Sequence, residues 1–139
     1  MNSRIRNKQS QRTGAMAEKL CEIALRQAGY RLVEKVEAPR TKTGIYLRTC
    51  SGDFRAVGDE GRSVLVECKW RDQPHLTPCC FADHQRKSLI EHHQAGGVSI
   101  IAHVTPRGCR LIYWPEALEI LTPASDRIAA GRGEDKGNG

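Results

Sequence analysis

The chain has no apolar run approaching the ~18 residues needed to cross a bilayer, which excludes a helical membrane span on sequence grounds. Acidic groups are missing from residues 1–13, where Arg4, Arg6, Lys8 and Arg12 stand with only Met1 and Ile5 as apolar side chains. Such a segment cannot anchor a fold by itself and is expected to be a flexible basic arm. No apolar stretch follows it, as an export signal would require, so a cytoplasmic protein is expected. The six cysteines, at 21, 50, 68, 79, 80 and 109, include no CxxC pair. In a reducing compartment they are read as free thiols. Cys79 and Cys80, flanked by His75 and His84, match no common zinc spacing and are read as core or loop residues. There is no internal repeat.

What is present is a chain of 139 residues, enough for one domain with a true core. Its net charge of +6 is unevenly placed. Residues 1–50 hold 11 basic and 4 acidic groups, whereas residues 51–139 hold 11 and 12. A positive surface confined to the first third suits a polyanion, most simply nucleic acid.

Helix formers from Ala15 to Ala28, with Ala17, Leu20, Ala24 and Ala28 as an apolar stripe and Gly29 as a stop, predict a first helix. Tyr30–Val36 alternates like a strand, and the segment 38–49, with Arg40, Lys42 and Arg48, reads as a basic loop or protruding hairpin. Thr77 and Pro78 suit the start of a second helix over Cys79–Gln94, stopped by Gly96 and Gly97. Val98–Val104 and Arg110–Trp114 are strand candidates, Pro115–Leu121 a short helix, and residues 124–139 a disordered tail. The domain therefore spans 14–123, and the order of elements predicts an α/β fold, a mixed central sheet flanked by helices.

The informative stretch is Gly52–Trp70, GDFRAVGDEGRSVLVECKW, which sets three charges into a β-hairpin. A three-residue loop of Asp59, Glu60 and Gly61, with Gly61 left-handed, pairs residues whose numbers sum to 120. Asp53 then lies opposite Glu67, on one face, with their Cβ atoms ~4.5–5.5 Å apart. Alternation adds Lys69 to that face and sends Val64, Val66 and Cys68 to the other. Two carboxylates this close repel unless a proton or cation intervenes. Their oxygen donors suit Mg²⁺, with Mn²⁺ as a substitute, and a neighbouring ammonium suits phosphodiester hydrolysis. The plainer alternative is a charged, solvated sheet face. Glu18, at the boundary of the first helix stripe, either reaches this site or pairs with a surface cation such as Lys19 or Arg26. Gln85, at i+4 between Phe81 and Leu89, either joins the site or bonds backbone.

Taken in order, Gly52–Val57, Val66–Lys69, His84 and Gln85 with Leu89, and Gly96–Gly97 resemble the PD-(D/E)XK nuclease superfamily, and within it the RecU-like Holliday-junction resolvases. Gly14–Tyr30 resembles the first helix of the same family, so the likeness runs from about Gly14 to Leu118. It implies a restriction-endonuclease-like core carrying a short basic stalk at 38–49. It implies Asp53 and Glu67 as metal ligands, Lys69 as the catalytic lysine, and Glu18 and Gln85 as supporting groups. The expected partners are branched DNA, held through Arg4, Arg6, Lys8, Arg12, Arg40, Lys42 and Arg48, and a second copy of the chain, since symmetrical incision needs two sites. Gly52 stands where the superfamily motif has proline, and archaeal-type resolvases share the core pattern. A duplex-nicking or restriction-like nuclease and a non-catalytic basic DNA-binding module are the alternatives.

Overall fold

In the computed structural model, the residues described are 3–37, 42–43 and 53–126, with side chains of the first helix from Gly14 onward. Three helices, α1 (Ser3–Gln27), α2 (Asp83–Gln94) and α3 (Glu116–Leu121), accompany five strands, β1 (Arg31–Lys35), β2 (Phe54–Val57), β3 (Ser63–Trp70), β4 (Val98–Thr105) and β5 (Gly108–Ile112). The strands form one sheet in the order β1-β2-β3-β4-β5. All neighbours are antiparallel except β3 and β4, which run parallel. A parallel pair needs a crossover, and α2 supplies it. The result is the mixed sheet with flanking helices that the order of elements predicts.

Two cores lie on opposite faces of the sheet. On one, Cys21 and Leu25 of α1 pack over Val33, Phe54, Ala56, Val64, Val66, Ile100 and Ala102. On the other, Leu89 of α2 and Ala117 and Leu121 of α3 meet Leu65, Ile101, Ile112, Leu76 and Phe81. Covered on both sides, β3 and β4 read as apolar runs, VLV and IIA, as central strands do. Because α2 packs on β3 and β4, the same face of β1 and β2 is left bare, with Arg55 exposed and only Val33 of β1 buried.

Three boundaries differ from the sequence expectations. Helix α1 begins at Ser3 and not Ala15, so residues 3–13, expected as a flexible arm, carry helical backbone. Nothing between Ser3 and Gln11 breaks a helix that α1's packed half has already nucleated. The second helix divides into a 3-10 turn, Pro78–Cys80, and α2 proper, because Phe81 and Ala82 are extended, with Phe81 buried in the second core. Residues 124–126 form a helical turn, while 127–139, most of the stalk segment with Arg40 and Arg48, and the side chains of Arg4, Arg6, Lys8 and Arg12 lie outside the described residues. Lys42 is exposed in a turn. Among the described residues no helix is long and apolar enough to cross a membrane.

The C-terminal end of α2 is fixed by a chain of hydrogen bonds. Ser99 Oγ donates to the Leu89 carbonyl at 2.6 Å and so accepts from His92 Nδ1 at 3.2 Å. That leaves His92 Nε2 to accept from Ser63 Oγ at 3.0 Å. Burial, then the charges of Arg55 and His93, hold the imidazole below its ordinary pKa, in keeping with this neutral tautomer. Gly97 lies against the same ring, where an added Cβ would overlap the imidazole. Gly97→Ala is expected to lower stability by about 1–3 kcal/mol, measured by denaturant unfolding, as overpacking at a closed contact does.

Candidate active site

The hairpin register is the one its turn chemistry predicts. Phe54 pairs with Val66, Arg55 with Leu65, Ala56 with Val64 and Val57 with Ser63, each summing to 120. The loop is Asp59–Gly61, with Gly61 at φ +73° and Glu60 also left-handed at φ 58°. The Gly58 amide closes it on the Arg62 carbonyl at 2.9 Å. The ladder ends at Phe54 and Val66, and the Asp53 amide also turns to the Val66 carbonyl, at 2.8 Å, so the backbone of Asp53 departs by one step from the direct opposition to Glu67 that the register alone predicts.

Aspartate disfavours strands, and here its side chain supplies the compensation. Asp53 Oδ2 accepts the Cys68 amide at 2.7 Å, extending the ladder beyond the last paired residue of β2. One carboxylate oxygen is thus fixed by backbone, and the group is aimed along the face that carries Glu67. That face is no solvated surface: Glu67 is 2% exposed. Burial, the Asp53 carboxylate and a hydrogen bond shared with it push the Glu67 carboxyl up to about 8, while the Lys69 ammonium opposes the rise. Lys69 Nζ lies 3.7 Å from Glu67 Oε1 and 5.3 Å from the centre of the Phe81 ring.

Gln85 completes the cluster, doing what both sequence readings of it envisaged. Its Nε2 donates to Glu67 Oε1 at 2.8 Å. Its Oε1 accepts from Lys69 Nζ at 3.0 Å and from the Ala82 amide at 2.9 Å. The amide's orientation follows from those partners, since oxygen must face two donors and nitrogen a carboxylate. One side chain therefore caps the start of α2 and bridges the acid and the ammonium of the strand beneath it.

Asp53, Glu67, Lys69 and Gln85 are thus brought together, and Glu18 is not. Its Oε2 pairs with Lys35 Nζ at 2.9 Å, because α1 covers the opposite face of the sheet and the end of β1 offers a nearer cation. Lys35 is held above its ordinary value chiefly by that hydrogen bond. Two groups escaped the sequence reading. His103, 3% exposed and in register with Lys69 on β4, contacts the Arg71 carbonyl through Nε2 at 2.9 Å and so steadies the end of β3. The signal was a histidine inside a strand apolar on both faces. Ser63 and His92, which anchor the far end of α2, gave no local pattern. Among the described residues no group of three or more His, Cys, Asp or Glu side chains converges in a way that could hold a metal ion. The carboxyl groups brought together at this face by the described residues are those of Asp53 and Glu67.

Two outcomes are expected. Gln85→Ala strips the partner from a buried carboxyl and removes the cap of α2, and should cost about 1–3 kcal/mol in denaturant unfolding. The unfolded chain releases the Glu67 proton near the ordinary 4.5, and the folded protein near 8, so stability falls as pH rises through that window. In metal-free buffer Glu67→Gln should therefore raise the melting temperature at pH 8 by about 5 °C. The gain should vanish below pH 4.5, as calorimetry across the range would show.

No family model matches the chain, and no curated protein matches it. The fold does match a solved structure, that of Hjc, a Holliday junction resolvase from Archaeoglobus fulgidus, an archaeal hyperthermophile. The TM-score is 0.51 at 18% sequence identity, over 71% of this chain and 75% of that one. At this identity the likeness establishes the fold alone, an α/β architecture of a mixed five-stranded sheet with flanking helices.

Proposed function

We propose that the chain is a Mg²⁺-dependent endonuclease that cuts four-way DNA junctions by phosphodiester hydrolysis. The observation that carries this is the forced closeness of Asp53 and Glu67 beside Lys69, with Gln85 bonded to both the glutamate and the lysine. An ordered set of residues resembling RecU-like resolvases and a fold like that of an archaeal resolvase support the same substrate class by separate routes.

The donor set fits the metal. Two adjacent carboxyl groups that share a proton in the absence of a cation offer hard oxygen ligands once it is displaced, and Mg²⁺ characteristically takes one or two carboxylates and fills its remaining positions with water and phosphate oxygens. Mn²⁺ has similar preferences. Asp53 and Glu67 would hold the ion, which when bound would supply Lewis-acid charge at the scissile phosphate. The other side chains act on their own account. Gln85 keeps the Glu67 carboxylate turned toward Asp53. Lys69, lodged over Phe81 and held by Gln85, presents a fixed positive charge where the attacked phosphate accumulates negative charge. Breaking two strands symmetrically needs two such sites, which a homodimer provides. Arg4, Arg6, Lys8, Arg12, Arg40, Lys42 and Arg48 would neutralise backbone phosphates, giving affinity that weakens with salt.

Incubation of the protein with a labelled four-way junction should give symmetrical nicks with Mg²⁺ and none in chelator. Asp53→Asn, Glu67→Gln and Lys69→Ala should each lower the cleavage rate by at least about a hundred-fold. Junction binding should persist in all three and strengthen in the two acidic variants, which remove negative charge facing phosphate. Equal cutting of linear duplex would replace junction resolution with a duplex-nicking or restriction-like activity. Intact binding without any divalent-dependent cleavage would leave a DNA-binding module.

A further inference from the structure

The exposed ledge of β2 and the flank of α2 bound a common space next to the acidic pair. On the ledge side, Arg55 follows Asp53 by two residues on the same face of β2, a step of ~6.8 Å along an extended strand. On the helix side, Gln85, Ser88 and His92 recur at i, i+3 and i+7, the spacing of a single stripe. Gln85 at the start of α2 meets Glu67 and Lys69, and His92 near its end meets Ser63. The stripe therefore runs from the acidic cluster along α2 for ~10 Å. Between ledge and helix lies a cavity of about 310 Å³ lined by Arg55, Ser63, Leu65, Ser88, Glu91 and His92, in which Arg55 and Leu65 stand two residues along their strands from Asp53 and Glu67.

The charge in this cavity is uncommitted. Arg26, Lys35, Arg86 and Arg110 each have a carboxylate partner. Arg55 has none within ion-pair distance among the described residues, although Glu34 stands opposite it on β1 and Glu91 lines the same cavity. The one ring facing it, His92, is held neutral between Ser63 and Ser99 and competes for no anion. An exposed guanidinium at one strand step from a carboxylate pair, walled by small hydroxyl side chains, is suited to a phosphodiester that continues past the reacting one.

We propose that Arg55 binds the backbone phosphate next to the scissile one, so that the cavity is a positioning subsite for the cleaved strand. This rests on the nuclease reading above, and the two can fail separately. Binding of a labelled junction is measured in chelator across a salt series for the wild type, Arg55→Ala and Arg55→Lys, with melting curves as the check on folding. The alanine variant should bind several-fold more weakly, and the slope of log affinity against log salt should shrink by about 0.9, the amount for one lost phosphate contact on duplex DNA. The lysine variant should restore most of that slope. In the second arm, Mg²⁺-dependent cleavage is compared on substrates carrying a neutral methylphosphonate beside the cleaved bond. The wild type should lose rate as the alanine variant does, and the alanine variant should lose nothing further.

An unchanged salt slope for Arg55→Ala would overturn the assignment. So would a methylphosphonate penalty as large in the alanine variant as in the wild type. Should the wild type cut no DNA, the nuclease reading falls, while the salt slope still decides whether Arg55 touches phosphate.

Discussion

Two carboxylates brought together from neighbouring segments of one hairpin, one of them almost sealed from water, are the constraint around which the rest is arranged. Left alone, Asp53 and Glu67 would separate or keep a proton. They are held together because β2 and β3 cannot slip: a one-residue shift would turn Phe54, Ala56, Val64 and Val66 out of the core under α1. The hydrophobic register of one sheet face thereby enforces an electrostatically unfavourable pairing on the other. Strain of this kind is tolerated at sites where a ligand relieves it.

The two faces divide the work. The α1 face is a plain apolar core and carries the stability. The α2 face mixes core residues such as Leu65 and Ile101 with Glu67, Lys69 and His103, all placed by the parallel pairing of β3 with β4. Among the described residues, the second helical layer stops short of β1 and β2, and Arg55 on that face is exposed. That is how a 2% exposed glutamate can lie two residues along β3 from Leu65, which lines an open cavity of about 310 Å³.

Much of this was legible in the sequence because the signals were local. Gly61 dictated the turn, the turn dictated the register, and the register brought Asp53 near Glu67 without any knowledge of the tertiary fold. The period of α2 placed Gln85 inward. What stayed hidden depended on contacts between distant segments. No spacing rule announces that Lys35 would take the Glu18 carboxylate, or that the face which alternation gives to both Leu65 and Glu67 would be sealed from water. The break at Phe81 and Ala82 was equally opaque, since Thr77 and Pro78 are good helix-starting residues and only the burial of Phe81 ends that first turn.

The bonds at the two ends of α2 have a dynamic consequence. Gln85 rivets the helix to Glu67 and Lys69, and His92 rivets it to Ser63 and Ser99, so rotation or sliding of this helix must tear both attachments at once. The spacing between acid and ammonium is thus protected from small, local fluctuations and lost only in larger, cooperative openings of the domain. Rigidity at this centre is a property of the scaffold, imposed in part from the far end of α2, where His92 is held.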